Sequence, residues 1–187
     1  MPDTSETSRL FLEERVGPAL RELGLPMSLA TQRRQSFHLD CTDLVSVGCD
    51  ALGREQRMER RATARWEEMK AAAVQDGIVL TVISAFRSFD HQKQIIARKL
   101  AAGKTIDEIL AVNALPGFSE HHSGRALDLG TPGCPALTAD FEHTPAFAWL
   151  VGHAAEFGFH LTYFRGNSHG VMFEPWHWMF HPAARPA

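Results

Sequence analysis

The sequence is short of positive charge, of cysteine and of long apolar runs, and each shortage removes a class of function. Nineteen Lys and Arg against 22 Asp and Glu leave a formal net charge of −3 and a pI near 6.4. No run of Lys and Arg is interleaved with aromatics, so nothing in the chain would track a phosphate backbone, and a nucleic-acid partner is not expected. The three cysteines, Cys41, Cys49 and Cys134, are an odd and scattered set without a C-x-x-C pair, which does not make a disulfide framework. No stretch reaches the ~18 apolar residues of a membrane span. The start, Met1-Pro2-Asp3-Thr4-Ser5-Glu6-Thr7-Ser8, has neither the basic nor the apolar region of a secretory leader. On that reading the protein is expected in the cytoplasm, with the periplasm left open.

What remains is ordinary globular material: 187 residues, 44% hydrophobic and 22% charged, enough for one domain with a sizeable core. The composition shifts over Ser36 to Asp50, where polar and small residues separate a lead-in, residues 1–43, expected to pack on the main domain, residues 44–187. In the lead-in, Leu12, Val16, Leu20 and Leu23 recur at helical spacing, and Pro18 predicts a break or kink. Gln56 to Gln75 is predicted as one helix, with Trp66, Met69 and Ala73 inward and Gly77 as its stop. The β-branched run Ile78 to Ile83 predicts a buried strand that delivers Ser84-Ala85-Phe86-Arg87-Ser88 to its end.

Asp90 to Leu100 reads as a further helix, and Thr105 with Glu108 as a capping box for a short one. Thr144, Pro145 and Gly158 frame another, with Phe147, Leu150, Val151, Ala154 and Phe157 facing the core. Strands are expected at Arg125 to Leu129 and Trp176 to Phe180. This mixture lacks a regular βαβ alternation, which predicts an α+β fold with a mainly antiparallel sheet flanked by helices.

Ten histidines invite over-reading, because a lone His is more often a surface or hydrogen-bonded core residue than a ligand. Two segments, however, set a histidine beside an acid and a turn. In the first, Ser119 to Asp128, Ser123-Gly124 permits a turn and the following residues alternate as a strand, so Gly124, Ala126 and Asp128 share a face. His121 and Asp128 stand an odd number of positions apart, so the turn at Gly124 is needed to bring them together. In the second, Phe173 to Phe180, Pro175 interrupts the ladder and Trp176, Trp178 and Phe180 alternate against His177 and Met179.

Two imidazoles and one carboxylate, from His121, Asp128 and His177, are a donor set suited to Zn²⁺, and three protein ligands leave a position open. Glu174 stands close before His177, able to reach a metal-bound water as a general base that passes the proton to a leaving amine.

The chain at this point resembles the VanY-type zinc D-alanyl-D-alanine carboxypeptidases, in the wider group of D-Ala-D-Ala dipeptidases, L,D-carboxypeptidases and phage endolysins. The family's S-x-H-x-x-G-x-A-x-D motif is met by Ser119, His121, Gly124, Ala126 and Asp128, and its E-x-W-H motif by Glu174, Trp176 and His177. A third segment, S-G-Y-R-S followed by Gln, corresponds to Ser84-Ala85-Phe86-Arg87-Ser88 and Gln92. The two ligand motifs in this order are specific where either alone is weak.

The resemblance implies a hedgehog/DD-peptidase-like domain and a zinc amidohydrolase that removes the C-terminal D-alanine of peptidoglycan stem peptides. It makes Glu174 the base, and Arg87 the group that steadies the substrate carboxylate or the oxyanion. Ser88, Gln92 and Ser119 become substrate-binding positions. Between the two roles of Arg87, the carboxylate is preferred, because a planar guanidinium fork matches a chain-end carboxylate. Phe86 and Ala85 depart from the family's Tyr and Gly, so any hydrogen bond made by that phenol is absent. His122 is read as a neighbour of the ligands, and His169 as a loop residue.

Other readings stay open beside this one. An L,D-carboxypeptidase acting on muropeptide tetrapeptides in recycling would use the same ligands and base. A zinc-stabilised binding module without turnover would share the fold, although Glu174 weighs against it. An endolysin-type endopeptidase would be expected to carry a wall-binding module as well.

Overall fold

Two strands, β1 (Leu44–Cys49) and β2 (Glu55–Glu59), pair as an antiparallel hairpin directly after the lead-in. Four more, β3 (Thr81–Ser84), β4 (Ala126–Gly130), β5 (Phe159–Leu161) and β6 (His177–Phe180), form a sheet in the order β3-β4-β6-β5 with every pairing antiparallel. Helices flank this sheet, so the architecture is the α+β one expected. The computed structural model describes residues 9–32 and 35–182. Residues 1–8 and 33–34 of the expected lead-in, and 183–187 of the expected domain, lie outside them.

Most elements follow their local signals. The helix Phe89–Ala101 starts at Ser88, whose hydroxyl accepts from the His91 N–H, and Ile106–Leu110 carries the full capping box of Thr105 and Glu108. The helix Pro145–His153 is capped by Thr144, and the chain reverses at Gly158 in the left-handed conformation. Val151 is 62% exposed and so does not join its core face.

Three elements depart from the pattern. The run Ile78 to Ile83, expected as a buried strand, pairs only over Thr81–Ser84 at the edge of the sheet, with Thr81 exposed and Val79 51% exposed. Glu55–Glu59 is a strand, and the helix begins only at Arg60 (Arg60–Gln75). Pairing with Leu44–Cys49 buries Met58 completely, and this tertiary gain overrides the helical periodicity that Gln56 to Glu59 shares with Arg60–Gln75. Glu59 then serves as N-cap, its Oε2 accepting from Ala62 N–H at 2.8 Å. The lead-in helix, in contrast, runs through Pro18. A π-turn over Leu12–Val16 lets Gly17 N–H reach the Leu12 carbonyl, and Pro18 falls in the first turn of Gly17–Glu22, where a missing N–H costs nothing.

Two apolar clusters result. One lies under the sheet, where Trp66, Met69, Leu127, Leu129, Leu150 and Phe159 are all buried. The other joins Val16 and Leu20 of the lead-in to Phe89, Ile96, Leu110 and Leu115. No helix is long and apolar enough to cross a membrane among the described residues.

Candidate metal centre

The β4–β6 register sets Asp128 directly opposite His177. Asp128 Oδ1 lies 2.9 Å from His177 Nδ1, and Oδ2 lies 3.3 Å from His121 Nε2. His121 arrives from the 3₁₀ turn Glu120–Ser123, which is closed by Gly124 at φ 68°. That left-handed residue supplies the reversal needed to bring His121 and Asp128 to one point. A Cβ there would also sit 3.0 Å from Glu59 N and from Leu44 Cδ2, so space as well as conformation demands glycine. One donor atom each from His121, Asp128 and His177 lies within 4.8 Å of the other two, and all three side chains are buried.

Each imidazole is held by its other nitrogen. His121 Nδ1–H donates to the Ala85 carbonyl at 2.6 Å, which leaves Nε2 as a lone-pair donor. His177 Nε2–H donates to Glu120 Oε2 at 2.9 Å, and Thr162 Oγ1 donates to that same oxygen at 2.9 Å. The tautomers are thereby set for coordination through His121 Nε2 and His177 Nδ1.

The charges result from this packing. Burial alone would raise Asp128, but the attraction and hydrogen bonds of His121 and His177 outweigh it and hold the carboxyl far below the usual range. Burial likewise opposes His177, yet the bonds to Asp128 and Glu120 push its imidazole up to about 10. Glu120 falls to about 2 because its bond to His177 overcomes its own burial. His177 thus lies between two carboxylates that favour its imidazolium form, and a metal ion bound there would take the place of its Nδ1 proton. Burial lowers His121, which stays neutral and ready to coordinate.

Glu174 stands outside this set. Its backbone N–H donates to the Tyr163 carbonyl at 3.0 Å, and its carbonyl accepts from His177 N–H at 3.1 Å, so the main chain that carries the carboxyl is fixed on both sides. Burial first, then the nearby charges of Asp128 and Glu120, push it up to about 7. It faces a cleft of about 380 Å³ that also exposes His121, Asp128, His177, Arg87 and Ser119.

The predicted site residues divide accordingly. Arg87 and Ser119 line the cleft together, with Arg87 Nη2 donating to Ser119 Oγ at 3.4 Å and Nε without a partner. Asp90 pairs with Arg15 instead of Arg87. Ser88 and Gln92 are not among the cleft-lining residues. Ser88 caps its helix, and the fully buried Gln92 donates to the Ala114 carbonyl at 2.6 Å, fixing a residue of the cleft wall. His122 is no ligand: Gly117 N–H donates to its Nε2 at 3.1 Å, and its Nδ1–H donates to the Arg87 carbonyl at 2.5 Å. Trp176 precedes β6 and lines the cleft, whereas Trp178 enters the core.

Three residues of the site are not singled out by the sequence. Glu120 lies inside the first ligand motif at an unspecified position, although its place beside His121 is a signal. Tyr163, the only tyrosine in the chain, lines the cleft with its ring centroid 4.7 Å from that of His177. Lys99 lines the same cleft from the helix Phe89–Ala101.

Asp128 and His177 on neighbouring strands and His121 from the turn before β4 thus bring two imidazoles and a carboxylate to one point, an arrangement that could hold a metal ion, with a separate acid beside it. The chain belongs to the VanY D-alanyl-D-alanine carboxypeptidase family, whose sequence profile matches residues 55–183. A D-alanyl-D-alanine carboxypeptidase of Enterococcus faecium is 33% identical over 124 residues, covering 64% of this chain and 36% of that protein. Among solved structures, the LD-carboxypeptidase LdcB matches with a TM-score of 0.68 at 26% identity, covering 75% of this chain and 69% of that one. The vancomycin-resistance D,D-pentapeptidase VanY, solved with Zn(II), matches with a TM-score of 0.59 at 26% identity, covering 79% of this chain and 84% of that one. The chain spans about a third to a half of the length of the curated relatives it matches.

Proposed function

We propose that this chain is a zinc-dependent carboxypeptidase that hydrolyses the C-terminal D-alanine amide bond of peptidoglycan stem peptides. The observation that carries the reading is the placement of Glu174, a buried carboxyl raised to about 7, in one cleft with the three converging donors. A structural metal site needs no such acid.

The donor set fits Zn²⁺ through His121 Nε2, Asp128 and His177 Nδ1, since both imidazoles have their remaining nitrogen committed to an oxygen acceptor. Bound zinc supplies a Lewis acid that brings the pKa of a water to about 7 and polarises a carbonyl. The protein's own share is proton transfer and binding. Glu174 takes the proton of the attacking water on its carboxylate and delivers it to the leaving amine nitrogen. Arg87, charged and enclosed, offers its guanidinium to the terminal carboxylate, with Ser119 beside it as a neutral partner.

A second reading, removal of D-alanine after an L-centre from a tetrapeptide, is favoured by the likeness to the LD-carboxypeptidase LdcB. Purified protein incubated with tri-, tetra- and pentapeptide stems, with zinc or with chelator, separates the readings. D-Alanine released from the pentapeptide supports the first, and release from the tetrapeptide alone supports the second. Zinc binding with no release from any stem would leave a binding module.

A further inference from the structure

The helix Phe89–Ala101 turns Ile95 and Lys99 towards the cleft, one helical turn apart. Among the described residues the Lys99 ammonium has no hydrogen bond and no ion pair, whereas Arg15, Arg54, Arg57, Arg60, Lys93 and Arg165 each have an acidic partner. The lining it shares includes the apolar side chains of Ile95, Val112, Leu137 and Val171. Lys99 is only partly exposed, and burial, then Lys104 and Arg87, lower its pKa, with Glu174 too weak a counterweight to reverse this. Complementing the helix dipole would not require this placement, because Arg98 in the same last turn does so from solvent.

A half-buried ammonium on the lining of a cleft, with no carboxylate of the described residues in ion-pair contact with it, can take one brought by a ligand. We infer that Lys99 binds a second carboxylate of the substrate, carried by the part of the peptide that stays behind, so that acidic stem peptides are preferred over neutral ones. This inference rests on the carboxypeptidase reading: the departing single residue has one carboxylate, which Arg87 takes, so a second must lie on the acyl side.

The test compares two acetylated tripeptides ending in D-Ala-D-Ala, one with Nε-acetyl-lysine and one with 2-aminoadipate at the first position. The zinc-loaded protein should favour the acidic peptide in kcat/KM, chiefly through KM. Lys99→Met should lower the acidic-to-neutral ratio by about tenfold or more, as loss of a charged hydrogen bond does. Lys99→Arg should restore most of it. Lys104→Met, at an exposed lysine nearby, should keep the wild-type ratio and so exclude a general field effect. A wild-type ratio near one, or the same ratio in Lys99→Met, overturns the inference. No hydrolysis of either peptide, or of the stem peptides, by wild type overturns the carboxypeptidase reading instead.

Discussion

Asp128 and His177 face each other across the β4–β6 ladder, with the carboxylate Oδ1 2.9 Å from the imidazole Nδ1. Both atoms are candidate metal donors, so a bound metal would compete with a proton for one position. With His177 pushed up to about 10, zinc binding near neutral pH should release about one proton. Apparent affinity should rise about tenfold per pH unit across that range. Calorimetry in buffers of different ionisation enthalpy measures the proton directly, and a pH-independent affinity without proton release would contradict this arrangement.

Glu174→Gln should retain zinc and lose about 10²–10⁴-fold in turnover, because the amide keeps the shape and loses the proton acceptor. Metal content by atomic absorption and turnover on a stem peptide are the two readouts. Loss of zinc would make Glu174 a ligand.

Glu120→Ala removes the acceptor that orients His177 through Nε2, while Thr162 loses its own acceptor. Zinc affinity should fall about 10–100-fold, read by competition with a chromogenic chelator. Unchanged affinity would reduce Glu120 to a surface contact.

Arg87→Lys keeps the charge and loses the fork. If Arg87 holds the terminal carboxylate, KM should rise and the peptide acid should suffer far more than its C-terminal amide. A fall in kcat shared by both would assign Arg87 to the oxyanion, and wild-type kinetics on the acid would remove it from both roles.

His122 is held down to about 4, by burial first, and its Nε2 already accepts from Gly117 N–H, so a second ring proton has no place. Its folded pKa is below the ordinary 6.5, so between roughly pH 6.5 and 4 the unfolded chain binds the extra proton. The contribution of neutral His122 is therefore present above pH 6.5 and lost as pH falls towards 4. Urea unfolding of wild type should weaken over that window, and His122→Asn should flatten the slope by up to about 1.4 kcal/mol per pH unit. Parallel slopes would refute it.

The convergence of His121, Asp128 and His177 was legible because each motif carries its own geometry: Gly124 announces a turn, and Pro175 announces the break before His177. Capped helices were legible for the same reason, since Ser88, Thr105 and Thr144 act within a few residues of themselves. Glu55–Glu59 was not, because its strand state depends on Leu44–Cys49, a partner its own periodicity does not report. Lys99 and Tyr163 were hidden likewise. Their functional placement exists only once the helix Phe89–Ala101 and the segment after β5 close around the cleft. Gln92 shows the converse, a motif residue whose visible work is to pin the Ala114 carbonyl.

The cross-strand position of Asp128 and His177 also makes the centre a proofreader of the sheet. A slip of β6 by one residue would present Trp176 or Trp178 opposite Asp128 and turn every side chain of that strand to the other face. Such a chain retains its hydrophobic residues but loses one of the three donors. A metal ion bound there would thus reward only the correctly threaded sheet and so discriminate against the misaligned fold.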